Sequence, residues 1–348
     1  MRFITCASYF GTGSSAITDF VSEFDDVCSM TDYEFRFLQD PQGVSDLEFC
    51  LVQNHNRHNS GHSLKMYKKM VDYWSGGLFS KRYDRFFHGM FKQLSYKYID
   101  QLTDFSYKGY WYYDVIEKGR LYSFCVRAIN KMLQKTIWRK QGLRNINELP
   151  CERTLCSNPN EAEFLSITKN YILDLFTSVN YDNKSSIMVD QLVPPSNVDR
   201  YLRYFDDIKV FVVDRDPRDL YVLAKYVWKI KMIPTEDSLL FSQWYKYTRK
   251  HRDYETYNRE KVLLIQFEDL VYMYNKTSEA IMDFLGFTEK RHVEKFKYFN
   301  PSISIFNTQV WKKYPESFEE IKVIEQELSK YLYNFPESDH IENNSISF

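Results

Sequence analysis

The chain has 348 residues, enough for one large α/β domain with insertions or for two ordinary domains. Apolar residues make up 44% and charged residues 27%, a globular balance, and 46 Lys plus Arg against 47 Asp plus Glu give no reason to expect a broad basic face for duplex nucleic acid, so any anion site must be local. No stretch approaches the ~18 apolar residues of a membrane span, and the apolar run at Met1–Ala7 is too short for a signal peptide, so a cytoplasmic protein without an integral membrane segment is expected.

In chain order, Phe3–Ala7 reads as a β-strand, followed by the loop Ser8–Gly13 and an amphipathic helix whose Ile17, Phe20, Val21 and Phe24 fall at i, i+3, i+4 and i+7. A second extended run, Tyr33–Leu38, ends at the turn signal Asp40-Pro41-Gln42-Gly43. Residues 44–180 read as a mostly helical insertion beside the sheet, broken at Gly76-Gly77 and around Asn145–Pro150. Its clearest helix follows Asn158 as N-cap and Pro159, with Phe164, Ile167, Tyr171 and Leu175 on one face. The cysteines at 6, 28, 50, 125, 151 and 156 are scattered, form no C-x-x-C pair and are expected to be free thiols.

Strand signals return at Ile187–Val189, Val210–Val213 and Val262–Ile265, the last two being unbroken apolar runs of the kind parallel strands show when both faces are covered. One helix starts near Pro217 and another runs from Glu268 with Ile281, Phe284 and Leu285 on its apolar face. A last helix carries Ile321, Ile324, Leu328, Tyr331 and Leu332, and the polar tail after Pro336 is expected to fray. The alternation predicts an α/β fold with a central parallel sheet and right-handed crossovers.

Two segments carry chemistry. In Ser8-Tyr9-Phe10-Gly11-Thr12-Gly13-Ser14-Ser15, between strand and helix, glycines let the backbone approach a phosphate, and hydroxyls and helix amides can hold it. Against the pattern G-x-x-x-x-G-K-[ST], Ser14 stands where a nucleotide triphosphatase has lysine, which argues against a kinase. The simpler alternative is a tight strand-to-helix turn. In Asp214-Arg215-Asp216-Pro217-Arg218-Asp219, Asp216 can cap the helix and Pro217 occupy its first turn, which leaves Arg215 at the carboxyl end of a buried strand, where ligands bind in open α/β sheets.

Gly-Thr-Gly-Ser-Ser after the first strand resembles the 5′-phosphosulfate loop of sulfotransferases that use 3′-phosphoadenosine-5′-phosphosulfate (PAPS). Arg-Asp-Pro-Arg-Asp resembles their 3′-phosphate motif. Phe267-Glu268-Asp269-Leu270, before a helix ending Phe284-Leu285-Gly286, is similar to their Y-E-D-L…F-L-G segment, and Asn307-Thr308-Gln309-Val310-Trp311-Lys312 to their closing loop. The resemblance implies a P-loop NTPase-like three-layer fold over residues 1–348. It also implies PAPS as donor, 3′-phosphoadenosine-5′-phosphate (PAP) as product and no metal, with a hydroxyl of a glycan or small molecule as acceptor and the insertion 44–180 as the acceptor-binding region. Position by position, Gly11, Thr12, Gly13, Ser14 and Ser15 would hold the 5′-phosphosulfate, Arg215 the 3′-phosphate, and Trp311 and Lys312 would belong to the closing loop. Two departures stand out: Gly11 occupies the place of a basic residue, and Leu223 that of a serine eight positions after Arg215.

The acceptor's proton needs a base. Glu34, in the second extended run, is the first candidate, because a parallel strand after the loop's helix returns beside it; the alternative for Glu34 is an exposed residue paired with Arg36. Histidines are the second candidate, at His55, His58 and His62, whose spacing would also suit a zinc site on one helical face, although Asn54, Asn56, Asn59, Ser60 and Gly61 are expected to interrupt such a helix. A protein that holds a nucleotide without turnover is the competing functional reading.

Overall fold

The computed structural model describes residues 1–77, 82–109, 112–137 and 152–336. Cys151, the break expected around Asn145–Pro150 and the tail expected to fray lie outside the described residues. The chain forms two compact units, Met1–Asp40 with Phe176–Phe348, and Pro41–Leu175.

The first unit is built on a five-stranded parallel sheet of β1 (Arg2–Ser8), β2 (Val27–Glu34), β3 (Ser186–Asp190), β4 (Ile208–Asp214) and β5 (Val262–Gln266), in the order β2-β3-β1-β4-β5. The strand period sorts β1 between two cores. Ile4 and Cys6 face Ile17, Phe20 and Val21 of helix α1 (Ser14–Ser22), together with Phe211, Leu270 and Ile281. Phe3 points the other way, its ring centroid 5.5 Å from that of Phe176 and 5.0 Å from that of Phe205. Helices therefore cover both faces, which is the α/β layering that the alternation of strand and helix signals predicts.

Several local expectations shift. The second strand begins at Val27, not Tyr33, and Glu34 is its last residue. Its sequence Val-Cys-Ser-Met-Thr-Asp has no clean alternation, as suits a sheet edge where one flank lacks a partner strand. At the other edge Leu264 is 50% exposed, so β5 is open on one face rather than covered on both. The helix expected from Glu268 is two helices, Phe267–Tyr272 and Tyr274–Leu285, with the Thr277 hydroxyl donating to the Asp269 carbonyl (2.9 Å) across the break. The last helix stops at Glu327, and Tyr331 falls in a short 3₁₀ turn.

Directly after α1, Glu23 is fully buried and ties down the segment that later lines the site. Its Oε1 accepts from the amides of Tyr298 and Phe299 (both 2.9 Å), and its Oε2 lies 2.5 Å from His292 Nε2. Glu23→Ala leaves one buried amide, one half-buried amide and an imidazole without their acceptor. A loss of about 3 kcal/mol or more is expected in denaturant unfolding, and an unchanged midpoint would show that the carboxylate holds nothing.

In the second unit, helices Arg57–Ser75 and Met90–Leu102 pack around a knot of tyrosines. Tyr98 stacks on Tyr171 (4.5 Å, 13°) and its hydroxyl meets Thr168 Oγ1 at 2.8 Å, while the Tyr171 hydroxyl meets Ser95 Oγ at 2.7 Å. Buried rings with satisfied hydroxyls account for part of the aromatic excess. The helix expected after Asn158 runs Glu161–Thr177 and is capped instead by Asn160, whose Oδ1 accepts from the Glu163 amide. An antiparallel pair, Phe105–Gly109 with Glu152–Cys156, was not expected.

Contrary to expectation, the helix Arg57–Ser75 runs through Asn59, Ser60 and Gly61, because Asn56 caps it by accepting from the amides of His58 and Asn59, each at 3.0 Å. Gly61 suits the spot: a Cβ there would lie 2.7 Å from the Leu155 carbonyl of the neighbouring strand. His58 and His62 are thus one turn apart on a helix, and His55 precedes it with Nε2 3.0 Å from the Ser157 carbonyl. Among the described residues no group of three or more His, Cys, Asp or Glu gathers as a metal-ligand set, and no helix is long and apolar enough to cross a membrane. The described cysteines, Cys6, Cys28, Cys50, Cys125 and Cys156, are free.

Candidate functional site

β1 and β4 are neighbours, but the chain leaves β1 toward β2 and β4 toward β5, so a crevice opens between their carboxyl ends. A cavity of about 980 Å³ lies there, within the first unit, and Gly11, Gly13, Ser14, Ser15, Glu34 and Arg215 all line it. That volume is at the upper end of the roughly 300–1,000 Å³ of ligand pockets.

The loop after β1 holds Gly11 at φ +75° and Gly13 at φ +87°, left-handed conformations that favour glycine. A Cβ on Gly11 would sit 2.8 Å from the Trp228 ring and one on Gly13 2.8 Å from the Phe267 ring. Gly13 is the N-cap of α1, whose start no side chain caps; the Ala16 amide is bonded to the Gly13 carbonyl at 3.2 Å. Ser14 Oγ donates to Asp190 Oδ2 at 3.2 Å. Thr12 is turned inward: its hydroxyl is within 2.6 Å of the Tyr9 carbonyl and 2.8 Å of the Val213 carbonyl, and it does not line the cavity.

The loop is tied to the end of β4 by a buried polar cluster. The Tyr9 hydroxyl lies 2.6 Å from His251 Nε2 and accepts from Arg252 Nε at 3.1 Å; Arg252 and Arg249 both pair with Asp214, at 2.8 and 2.7 Å. Burial alone would raise the Asp214 carboxyl, but the two guanidinium groups outweigh it and hold its pKa below the usual range.

Arg215 follows Asp214 and is 4% exposed. Its guanidinium stacks on Phe267 (4.7 Å), one Nη donates to the Asn307 carbonyl, and Nε has no hydrogen-bond partner among the described residues. The rest of the motif faces inward. Asp216 caps the helix Pro217–Val222 through the Arg218 amide and pairs with Arg218, which stacks on Trp311 at 4.8 Å. Asp219 accepts from the amides of Gln309 and Val310 (2.8 and 2.6 Å) and so fixes the late loop. Trp311 and Lys312 belong to that loop but do not line the cavity; Lys312 bonds to Gln309 and lies over Trp311. Glu268 is wholly buried and accepts from the Asp216 amide at 2.9 Å, and burial pushes its pKa up to about 8 even though Arg215 opposes the shift.

Both departures have a physical cause. The Trp228 ring fills the space that a side chain at 11 would need. Leu223 is fully buried in an apolar cluster with Phe241, Ile321 and Leu328, so no polar group at 223 reaches the site. His55, His58 and His62 belong to the second unit.

Asp190 is among the cavity residues that were not picked out in the sequence. Asp190 ends β3 beside the loop's helix, and a register shift between Met30 and Glu34 brings Glu34 opposite it. Asp190 is 8% exposed, and its Oδ1 has no hydrogen-bond partner among the described residues. The signal was available: Ile187–Val189 is a buried strand, and the rule that placed Arg215 at the end of its strand applies equally to the residue that ends this one.

No protein-family model matches the chain, and no curated protein is significantly similar to it. Among solved structures, it is similar to the sulfotransferase domain of the Synechococcus PCC 7002 olefin synthase at 14% identity (96% of this chain, 95% of that one, TM-score 0.41). It is also similar to the sulfotransferase STF1 from Mycobacterium tuberculosis H37Rv at 9% identity (94% and 76%, TM-score 0.37). A third is retinol dehydratase in complex with androsterone and the inactive cofactor PAP, at 13% identity (97% and 84%, TM-score 0.36).

Proposed function

We propose that the chain transfers the sulfuryl group of PAPS to a hydroxyl of a carbohydrate or small molecule and releases PAP. The observation that carries this reading is the joint placement, in one cavity, of a glycine-rich helix start and the buried guanidinium of Arg215 on the adjacent strand. A nucleotide with anions on both its 5′ and 3′ positions needs two such anchors, and a simple triphosphate does not. Gly11, Gly13, Ser14 and Ser15 would take the 5′ end and Arg215 the 3′-phosphate, with Asp219 positioning the late loop. Phe10, Tyr33, Phe296 and Tyr298 line the same cavity and are 38–50% exposed, rings of the kind that pack against a sugar or a small apolar acceptor.

Isothermal titration tests it. PAP is expected to bind and ATP to bind at least about tenfold more weakly, since Ser14 offers no cation to a γ-phosphate. Equal or tighter binding of ATP overturns the reading.

Nucleotide binding without turnover is favoured by a different observation. Four carboxylates (Asp19, Asp32, Glu34, Asp190) line the cavity beside three cations (Arg36, Arg215, Lys297), and no basic residue can stand at Gly11. PAP release from PAPS distinguishes the two readings: its absence, with PAP still bound, favours the second.

A further inference from the structure

We infer that Asp190 is the group that takes the acceptor's proton, and that Glu34 acts on it as a neighbouring charge. This rests on the sulfuryl-transfer reading. Among the described residues, Asp190 is the cavity-lining carboxylate that combines depth, contact with the loop after β1 and an unused oxygen: Ser14 holds Oδ2, and Oδ1 is buried without a hydrogen-bond partner. A buried oxygen left unsatisfied costs stability that a purely structural carboxylate would recover by bonding. Glu34 differs in that its side chain is 49% exposed and 3.8 Å from Arg36.

The groups facing Asp190 come from every neighbouring element. They are Cys6 on β1, Ser14 at the start of α1, Glu34 and Arg36 at and beyond the end of β2, and the Gln191 amide directly after its own strand. Burial first, then the charge of Glu34, push its pKa up to about 7; Ser14, the Gln191 amide and Arg36 only partly oppose this. A carboxylate poised there is a far better proton acceptor at neutral pH than an ordinary one.

In the step itself, the acceptor oxygen forms a bond to sulfur as its proton passes to Asp190. The bond from sulfur to the bridging oxygen breaks, and its electron pair leaves on the 5′-phosphate of PAP. The products are the sulfate ester, PAP and protonated Asp190, which returns its proton to solvent.

The test measures sulfuryl transfer from PAPS to a p-nitrophenyl glycoside, and to water as the slow acceptor, against pH for wild type, Asp190→Asn and Glu34→Gln. PAP affinity and the ¹³C-NMR titration of the labelled Asp carboxyls are followed in parallel. In wild type kcat/KM is expected to rise with pH through about 7, because the base must be ionised. Asp190→Asn should lower kcat by ~10²–10⁴ with PAP affinity within a few-fold, and should remove one of the two Asp carboxyls that titrate near that pH, leaving Asp219. Glu34→Gln should move the rise to lower pH, since it deletes the negative charge that holds Asp190 up. The assignment is overturned if Asp190→Asn keeps turnover, if Glu34→Gln alone loses it, or if the Asp190 carboxyl titrates below about 5. A chain that binds no PAP and transfers nothing fails the sulfuryl-transfer reading itself, and the assignment goes with it; the carboxyl titration tells the two failures apart.

Discussion

Gly13→Val is expected to abolish PAP binding while the protein stays folded. At φ +87° an L side chain is strained by roughly 1–2 kcal/mol, and β-branching adds to this. The new Cβ would also start 2.8 Å from the Phe267 ring, the ring on which the Arg215 guanidinium rests. Relief of that clash moves either the loop away from the anion's path or the platform under Arg215, so both proposed anchors suffer from one change. The side chain would in addition occupy the cavity wall where the 5′ group must approach backbone amides. Calorimetric titration with PAP, beside a melting curve, is the check. Gly13→Ala, which adds the strain with less bulk, should fall between wild type and valine. Unaltered affinity in the valine variant would mean that the loop is only a turn.

Arg215→Ala should weaken PAP binding by about 1.5–3 kcal/mol, the scale of a hydrogen bond to a charged group, which is a roughly 10- to 150-fold rise in Kd. Its Nε is buried and unpaired, so a 3′-phosphate would meet a donor already desolvated. The same substitution removes the cation that opposes the buried carboxyls of Glu268 and Asp219, and some stability should be lost with it. Arg215→Lys separates the two effects: it keeps the charge near Glu268 but loses the planar fork, so stability should recover more than affinity. Wild-type affinity in the alanine variant would remove Arg215 from the site.

Much of this architecture is legible in the sequence because it depends on short-range physics. β1, its loop and α1 are contiguous, and the helical spacing of Ile17, Phe20 and Val21 declares the face that the sheet buries. Arg215 is legible because an apolar strand and a capped helix bracket it. Elements whose pairing spans long separations are not. Phe105–Gly109 finds Glu152–Cys156 across more than forty residues, and neither strand announces the other. β2 is displaced because an edge strand need not show two-residue alternation, and Glu34 reaches Asp190 only through a register shift. Asp190 is not singled out in the sequence, and its burial is supplied by β1, β2 and α1 together. Thr12 misleads in the opposite way, since a hydroxyl between two glycines looks like an anion ligand but here seals the loop onto the carbonyls of Tyr9 and Val213.

The Trp228 ring against Gly11 constrains how this loop could be redesigned or could drift. A lysine introduced at 11 alone meets an indole at 2.8 Å, the Leu220 methyl at 2.9 Å and a backbone at φ +75°, so the single change is harmful whatever its charge would offer a nucleotide. Shrinking Trp228 alone only opens a hole beside the loop. The two positions are therefore locked by sign epistasis: each step toward a charged loop loses fitness unless the other, and the local backbone, changes with it.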